Sequence, residues 1–170
     1  MESLELESLP RETLLKVIKI FSRNWVTVDG LWFQHVEEEF GLDAALRLDL
    51  KMWERQSTIE AKRIKNTLGL TGEGPLTVMT AINFMTGAVC FPPYEYEERS
   101  AEMVIFGTPG CLPQEARKRN GRGEFPCKAV GMTHFSNYAK VIDPRVKVRC
   151  IFCPPDPHPE DMWCKWELSI

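Results

Sequence analysis

The sequence predicts an α+β fold in which N-terminal helices pack on a C-terminal antiparallel sheet. Two changes of period lead there. From residue 9 to about 86, apolar side chains recur three and four positions apart, as on a helix with one buried face. Late in the chain the pattern becomes alternation: Val146, Val148, Cys150 and Phe152, then Met162, Cys164, Trp166 and Leu168. A chain of 170 residues is long enough to bury a core as one domain, helical over about 10–86 and sheet-containing over about 90–170.

The elements follow in order. Pro10 suits the first turn of a helix, where its missing N–H has no partner to lose, and Leu14, Ile18 and Phe21 carry that helix to about Asn24. Asp29 reads as the N-cap of a second helix over 30–40, with Trp32, Val36 and Phe40 as its buried stripe and Gly41 as its end. A long third helix spans 42–68, closed by Gly69, with Leu42, Ala45, Leu46, Leu50, Trp53 and Ile64 on one line. Residues 76–85 form a shorter helix. Strands at 94–98 and 102–106 make a hairpin turning at Arg99-Ser100, which sets Tyr96 opposite Met103 and Tyr94 opposite Ile105. One or two helical turns over 114–119 precede a helix that starts at about 124 and stops at Asp143-Pro144. Strands at 146–152 and 162–168 close the fold. A loop centred near Pro157 places Cys150 opposite Cys164, Val148 opposite Trp166 and Lys147 opposite Glu167.

Composition narrows the function. A net charge of −3 argues against nucleic acid as a partner, since a phosphate backbone needs a basic stripe. The one basic run, Arg117-Lys118-Arg119 with Arg122, is short and reads as a solvated face. No apolar run approaches the ~20 residues of a membrane span. The acidic first ten residues lack the pattern of a signal peptide, so a cytoplasmic location is expected. There the six cysteines should be reduced, which directs attention to metal, catalysis or core filling.

The residues support all three readings. Cys150 and Cys153 form a Cys-x-x-Cys knuckle, and Cys164 and His158 could complete a site for zinc or, with cysteines alone, an iron–sulfur cluster. Cys127, at the start of a predicted helix, is placed for thiolate stabilisation by the helix N-terminus and so for nucleophilic catalysis. Alternatively these thiols are small core hydrophobes, in which case Cys153, beside Pro154 in a loop, contributes little to stability.

On the long helix, Asp49 and Glu60 fall on or beside the apolar line. A carboxylate there needs a partner. Either it pairs with Arg55, Arg63 or a lysine of the first helix, or Asp49 and Glu60 face an interior pocket.

Several segments resemble an uncharacterised family of cytosolic proteins frequent in anaerobic bacteria and archaea. They are Asn24-Trp25 with Asp29-Gly-Leu-Trp-Phe, Glu124-Phe-Pro-Cys-Lys-Ala-Val-Gly, the run from Ile142 through Cys-Ile-Phe-Cys-Pro-Pro-Asp-Pro-His-Pro, and Cys164-Lys-Trp-Glu-Leu. That family is distantly similar to L-2-amino-thiazoline-4-carboxylic acid hydrolases. Those share a cysteine before a short helix, here Cys111, and a closing Cys-x-aromatic-x-apolar strand, here starting at Cys164. The resemblance implies helices against an antiparallel sheet with a small-molecule pocket between them.

The functional expectation is therefore a small-molecule or metal-binding protein with an internal pocket. The second and third helices are expected to cover the sheet, with Trp53, Arg63, Tyr94, Tyr96 and Trp166 lining the ligand and Asp49, Glu60 and Cys127 as its chemical groups. A hydrolase of a small cyclic amidine or amide, using a cysteine or carboxylate, is the alternative. A homodimer formed through the Trp-rich helices is the third reading.

Overall fold

The computed structural model describes residues 5–170; the first four residues of the acidic start lie outside it. The fold is α+β. Five helices, α1 (Arg11–Phe40), α2 (Leu42–Leu68), α3 (Gly74–Asn83), α4 (Leu112–Arg119) and α5 (Lys128–Ile142), accompany four strands. These are β1 (Glu95–Arg99), β2 (Met103–Thr108), β3 (Lys147–Phe152) and β4 (Cys164–Ser169), in the antiparallel order β1-β2-β4-β3. Among the described residues, no helix is long and apolar enough to cross a membrane.

The first two predicted helices are one. Asp29-Gly30 does not start a helix but lies inside α1. A single mid-helix glycine costs about 1 kcal/mol, too little to break a helix tied down on both sides of it. Here Trp25 packs on Trp53 and Phe33 on Phe125. Continuity also turns the expected stripe around. Asp29 and Phe33 face inward, whereas Trp32 and Phe40 are 73% and 72% exposed. The long helix keeps its predicted bounds: Gly41 and Gly69 end α1 and α2 with φ of 83° and 60°, values that glycine adopts without a Cβ penalty.

Both hairpins form, each in a shifted register. Tyr96 pairs with Phe106 and Arg99 with Val104, so the β1–β2 turn sits at Ala101-Glu102 rather than Arg99-Ser100. The Ser100 hydroxyl closes it by accepting the Met103 N–H at 3.1 Å. The shift changes the face: Val104 and Phe106 enter the core in place of the expected Met103 and Ile105. In the second hairpin Cys150 lies opposite Trp166, Val148 opposite Leu168 and Arg149 opposite Glu167, two residues from the expected pairing. Arg149 forms an ion pair with Glu167, and the like-charged Arg149–Lys165 pairing of the other register is avoided. Cys164 instead faces Thr108 of β2. A two-residue slip preserves the faces, so Cys150 and Cys164 still point to the core.

The sheet is covered by α3 and α5, not by the long N-terminal helices. Helix α2 packs along α5 on the side away from the sheet, and α1 packs on α2. Phe135, Tyr138, Ala139 and Ile142 of α5 meet Phe106, Trp166 and Leu168 in one buried cluster. Helix α5 comes close to the sheet at Gly131, where a Cβ would stand 2.7 Å from Cζ2 of the Trp166 indole. That indole is 1% exposed and has nowhere to move. Gly131→Ala should therefore lower stability by about 1–3 kcal/mol through overpacking, despite alanine's better helix propensity. Chemical denaturation of the two proteins checks this, and an unchanged midpoint refutes the contact.

Candidate functional site

Covering the sheet with α3 and α5 moves the open space to the other side of α5. A cavity of about 440 Å³ lies among α1, α2, the segment after α3, α4 and the first half of α5. Trp25, Phe33, Trp53, Phe91 and Phe125 give it aromatic walls. Its polar lining includes Asp29, Arg23 and Gln34 from α1, Asp49 and Glu60 from α2, Arg117 and Arg119 from α4, and His134 from α5.

Asp29 and Asp49 form its electrostatic centre. Neither has an ion-pair partner among the described residues. Burial raises the Asp29 carboxyl to about 6. Asp49 rises to about 7, chiefly through burial and then through the charge of Asp29, with a hydrogen bond from Trp53 acting the other way. Two carboxylates buried in one cavity thus hold a proton up to near neutrality.

Glu60 has a different job. It is buried, and its Oε1 accepts the Thr86 N–H at 2.7 Å and the Thr86 hydroxyl at 2.5 Å. The Thr86 carbonyl in turn accepts the hydroxyl of Ser22 on α1. Glu60 therefore ties α2 to the segment after α3 and, through it, to α1, while its charge reaches His134 and Tyr138. His134 lies flat on Trp53, ring centroids 4.5 Å apart, and its Nε2 has no hydrogen-bond partner. Burial lowers its pKa to about 4 against the opposing pull of Glu60, so the imidazole is neutral at physiological pH. Burial, then the Glu60 charge, pushes the Tyr138 phenol upward.

The expected site residues divide. Asp49, Trp53 and Glu60 line the cavity. Arg63 is exposed on α2 and does not. Tyr94, Tyr96 and Trp166 pack in or against the sheet's core, on the far side of α5, because the sheet is roofed by α3 and α5. Asp29, His134 and the arginines Arg23, Arg117 and Arg119 are among the cavity residues that sequence reasoning did not assign to a site. The signal for Asp29 was a carboxylate inside the apolar run Trp25-Val-Thr-Val-Asp-Gly-Leu-Trp-Phe, where a cap was read instead.

The cysteines gather elsewhere. Cys127 is the N-cap of α5, as its sequence position implies. Its Sγ lies 3.5 Å from Cys153 Sγ and 3.5 Å from Gln114 Nε2. It is not among the residues lining the cavity. Cys164 is drawn down to about 7, first by its contact with Cys153 and then by Thr108 and Trp166, against the effect of burial. Burial raises Cys150 to about 11 and pushes Cys111, the N-cap of α4, further up.

The expected metal set of Cys150, Cys153, Cys164 and His158 does not assemble. Cys150 packs against the core while Cys153 turns to Cys127, so the knuckle splits its two thiols. His158 is engaged through Nδ1 with the Pro159 carbonyl at 2.9 Å and through Nε2 with Glu124 at 3.4 Å. Among the described residues, no three Cys, His, Asp or Glu side chains are arranged to hold a metal ion. The residues present do not fit zinc or an iron–sulfur cluster.

The chain belongs to a family of unknown function, DUF6125, whose model matches residues 7–170. Comparisons with curated proteins and with solved structures returned no match.

Two outcomes follow from this geometry. Cys153 is 1% exposed rather than loose in a loop. Cys153→Ser should cost about 1–3 kcal/mol, because a hydroxyl replaces a thiol packed on sulfur. Equilibrium unfolding measures it, and a silent substitution would contradict the buried thiol pair. The carboxylates give a pH signature. A carboxyl whose pKa is raised on folding favours the folded state fully below its unfolded value of 3.8, and that contribution is lost as pH rises through about 7. Asp49→Asn should therefore stabilise the protein at pH 8 by roughly 1–3 kcal/mol and leave it unchanged near pH 4. His134 acts with the opposite sign below its unfolded 6.5, so the quantity to read is the difference between variant and wild type across pH. A flat difference removes Asp49 from the buried pair.

Proposed function

We propose that the cavity binds a small organic cation, an amine or amidine, held by Asp29 and Asp49. The observation that carries this reading is the pair of carboxylates without an ion-pair partner among the described residues, set among Trp25, Phe33 and Trp53 in a cavity whose Arg117 is taken by Glu37. A cationic ligand would relieve the repulsion between the two groups, and aromatic faces attract cations as well as apolar surface. The neutral His134, which lines the cavity beside Trp53 and whose buried Nε2 has no hydrogen-bond partner, is the group that would orient it.

A second reading is hydrolysis of a cyclic amidine. Asp49 is favoured here over Cys127, which lies outside the cavity, because a carboxyl near 7 is matched to general acid–base work at neutral pH. The carboxylate would take a proton from water as the water oxygen adds to the amidine carbon. It would then return that proton to the ring nitrogen as the carbon–nitrogen bond breaks. The resemblance to aminothiazoline carboxylate hydrolases points to the same substrate class.

Thermal shift and calorimetry with a panel of amidines, aminothiazolines and primary amines, against neutral and anionic compounds of equal size, test the proposal. Cations should raise the melting temperature selectively, and binding should release protons below pH 7. Asp29→Asn and Asp49→Asn should each weaken binding about tenfold or more, or 1.4 kcal/mol and upward. Equal binding of neutral analogues, or unchanged affinity in both variants, overturns it. Product formation from a bound aminothiazoline, abolished by Asp49→Asn, distinguishes hydrolysis from binding alone.

A further inference from the structure

On the sheet side of α5, across the helix from the carboxylate cavity, two free thiols meet. Cys127 Sγ and Cys153 Sγ stand 3.5 Å apart. Their backbones are held together as well. The Lys128 N–H donates to the Pro154 carbonyl at 3.0 Å, which joins the residues directly following the two cysteines. A disulfide between them asks the sulfurs to approach to about 2 Å, a change that side-chain rotation supplies once the chains lie side by side. A third thiol stands next to the pair. Phe152 pairs with Lys165 across the β3–β4 hairpin, so Cys153, one residue on, faces Cys164. Cys153 is buried between two half-buried thiols.

Packing alone does not account for Gln114. Its side chain is buried and clamped on Phe125: Nε2 donates to the Phe125 carbonyl at 2.7 Å, and Oε1 accepts the Phe125 N–H at 2.8 Å. The second hydrogen of the same Nε2 is left to the Cys127 sulfur, 3.5 Å away. An amide fixed by the backbone at both ends thus holds a donor against the more open sulfur of the pair.

We propose that Cys127 and Cys153 form a dithiol–disulfide site that exchanges with a low-molecular-weight disulfide. Cys127, as thiolate, attacks one sulfur of the small disulfide. A sulfur–sulfur bond forms to Cys127, and the other half leaves as a thiolate that takes up the proton Cys127 released. Cys153 then attacks Cys127 Sγ, the bond to the remaining half breaks, and that half leaves with the Cys153 proton. Two protein thiols are oxidised to one disulfide, and one small disulfide is reduced to two thiols. The order follows burial, since Cys127 is the more open sulfur and Cys153 lies behind it. The new bond joins the head of α5 to the loop after β3, which are already hydrogen-bonded, so the oxidised chain keeps its fold.

The test is to reduce the full chain, equilibrate it with mixtures of oxidised and reduced glutathione at neutral pH, alkylate the remaining thiols and map the peptides by mass. The wild type should lose two of its six free thiols, with its mass lower by two hydrogens and Cys127 linked to Cys153. Cys153→Ser should stop at a glutathione adduct on Cys127, and Cys127→Ser should lose both the adduct and the internal bond. Cys90→Ser should exchange as the wild type does. Six free thiols across every mixture, a lasting glutathione adduct on wild-type Cys127, or a bond mapped to any other pair overturns the proposal. Should Cys153→Ser fail to fold, the wild-type map and Cys127→Ser decide: an internal bond that survives without Cys127 refutes the site.

Discussion

The contact between Gly131 and the Trp166 indole sets the position of everything else. It lets α5 settle against β4 at a distance no other side chain would permit. Once α5 is seated there, Phe135, Tyr138, Ala139 and Ile142 fill the space over the sheet, and the opposite side of the helix is committed to α2. His134, three positions after the glycine, then lies flat on Trp53 and reaches the cavity. Cys127, one turn before it, becomes the helix cap beside Cys153. The hydrogen bond from Lys128 N–H to the Pro154 carbonyl, at 3.0 Å, fixes the start of the helix to the loop after β3. One close approach thus assigns the two faces of α5 to two different environments.

The rest of the molecule shows how it treats a buried charge that is only structural. Glu37 on α1 accepts both terminal nitrogens of Arg117, at 2.6 and 3.0 Å, and also one from Arg122, and these hold its carboxyl below the usual range. Asp143, at the end of α5, accepts the Gly74 N–H at 2.8 Å together with the Arg145 side chain, which likewise depress it. Glu60 has the backbone and hydroxyl of Thr86. Against these three, Asp29 and Asp49 stand apart. Burial raises both, where Glu37 and Asp143 are lowered, and neither has an ion-pair partner among the described residues. A chain that gives its other inward carboxylates an arginine or two donors, and gives Asp49 one indole hydrogen bond and Asp29 no ion pair in the same cavity, departs from its own pattern at one place, and such departures concentrate at functional sites.

The C-terminal cysteines owe their arrangement to the sheet. Alternation on β3 and β4 sends Cys150 and Cys164 to the face beneath α5, where a thiol acts as a small apolar side chain. The irregularity after Cys150 and the Pro154-Pro155 segment then carry Cys153 around to the head of α5 instead of continuing the strand. The result is a group of sulfurs held by packing on the sheet side, separated by α5 from the polar cavity on the α2 side. Cys153 packs there on Cys127, and Cys164 on Cys153.

Legibility in the sequence followed the strength of the local constraint. The ends of α2 were readable because Gly41 and Gly69 occupy conformations that punish any other residue. The inward direction of Asp49, Trp53 and Glu60 was readable because helical spacing fixes direction along one element. Strand faces in the second hairpin were readable from a period of two, but register was not, since alternation is unchanged by a slip of two residues. The choice fell to Arg149 and Glu167, whose pairing across strands competes with an equally plausible Lys147 pairing on paper. Asp29-Gly30 misled because a capping pair and a mid-helix pair look identical locally; only the tertiary partners of Trp25 and Phe33 hold the helix through it. That error concealed the site, since a capping Asp29 spends its carboxylate on its own backbone, whereas an Asp29 inside a continuous α1 turns it toward Asp49. The pairing of those two carboxylates is a property of two helices brought side by side, and no spacing within either helix could have announced it.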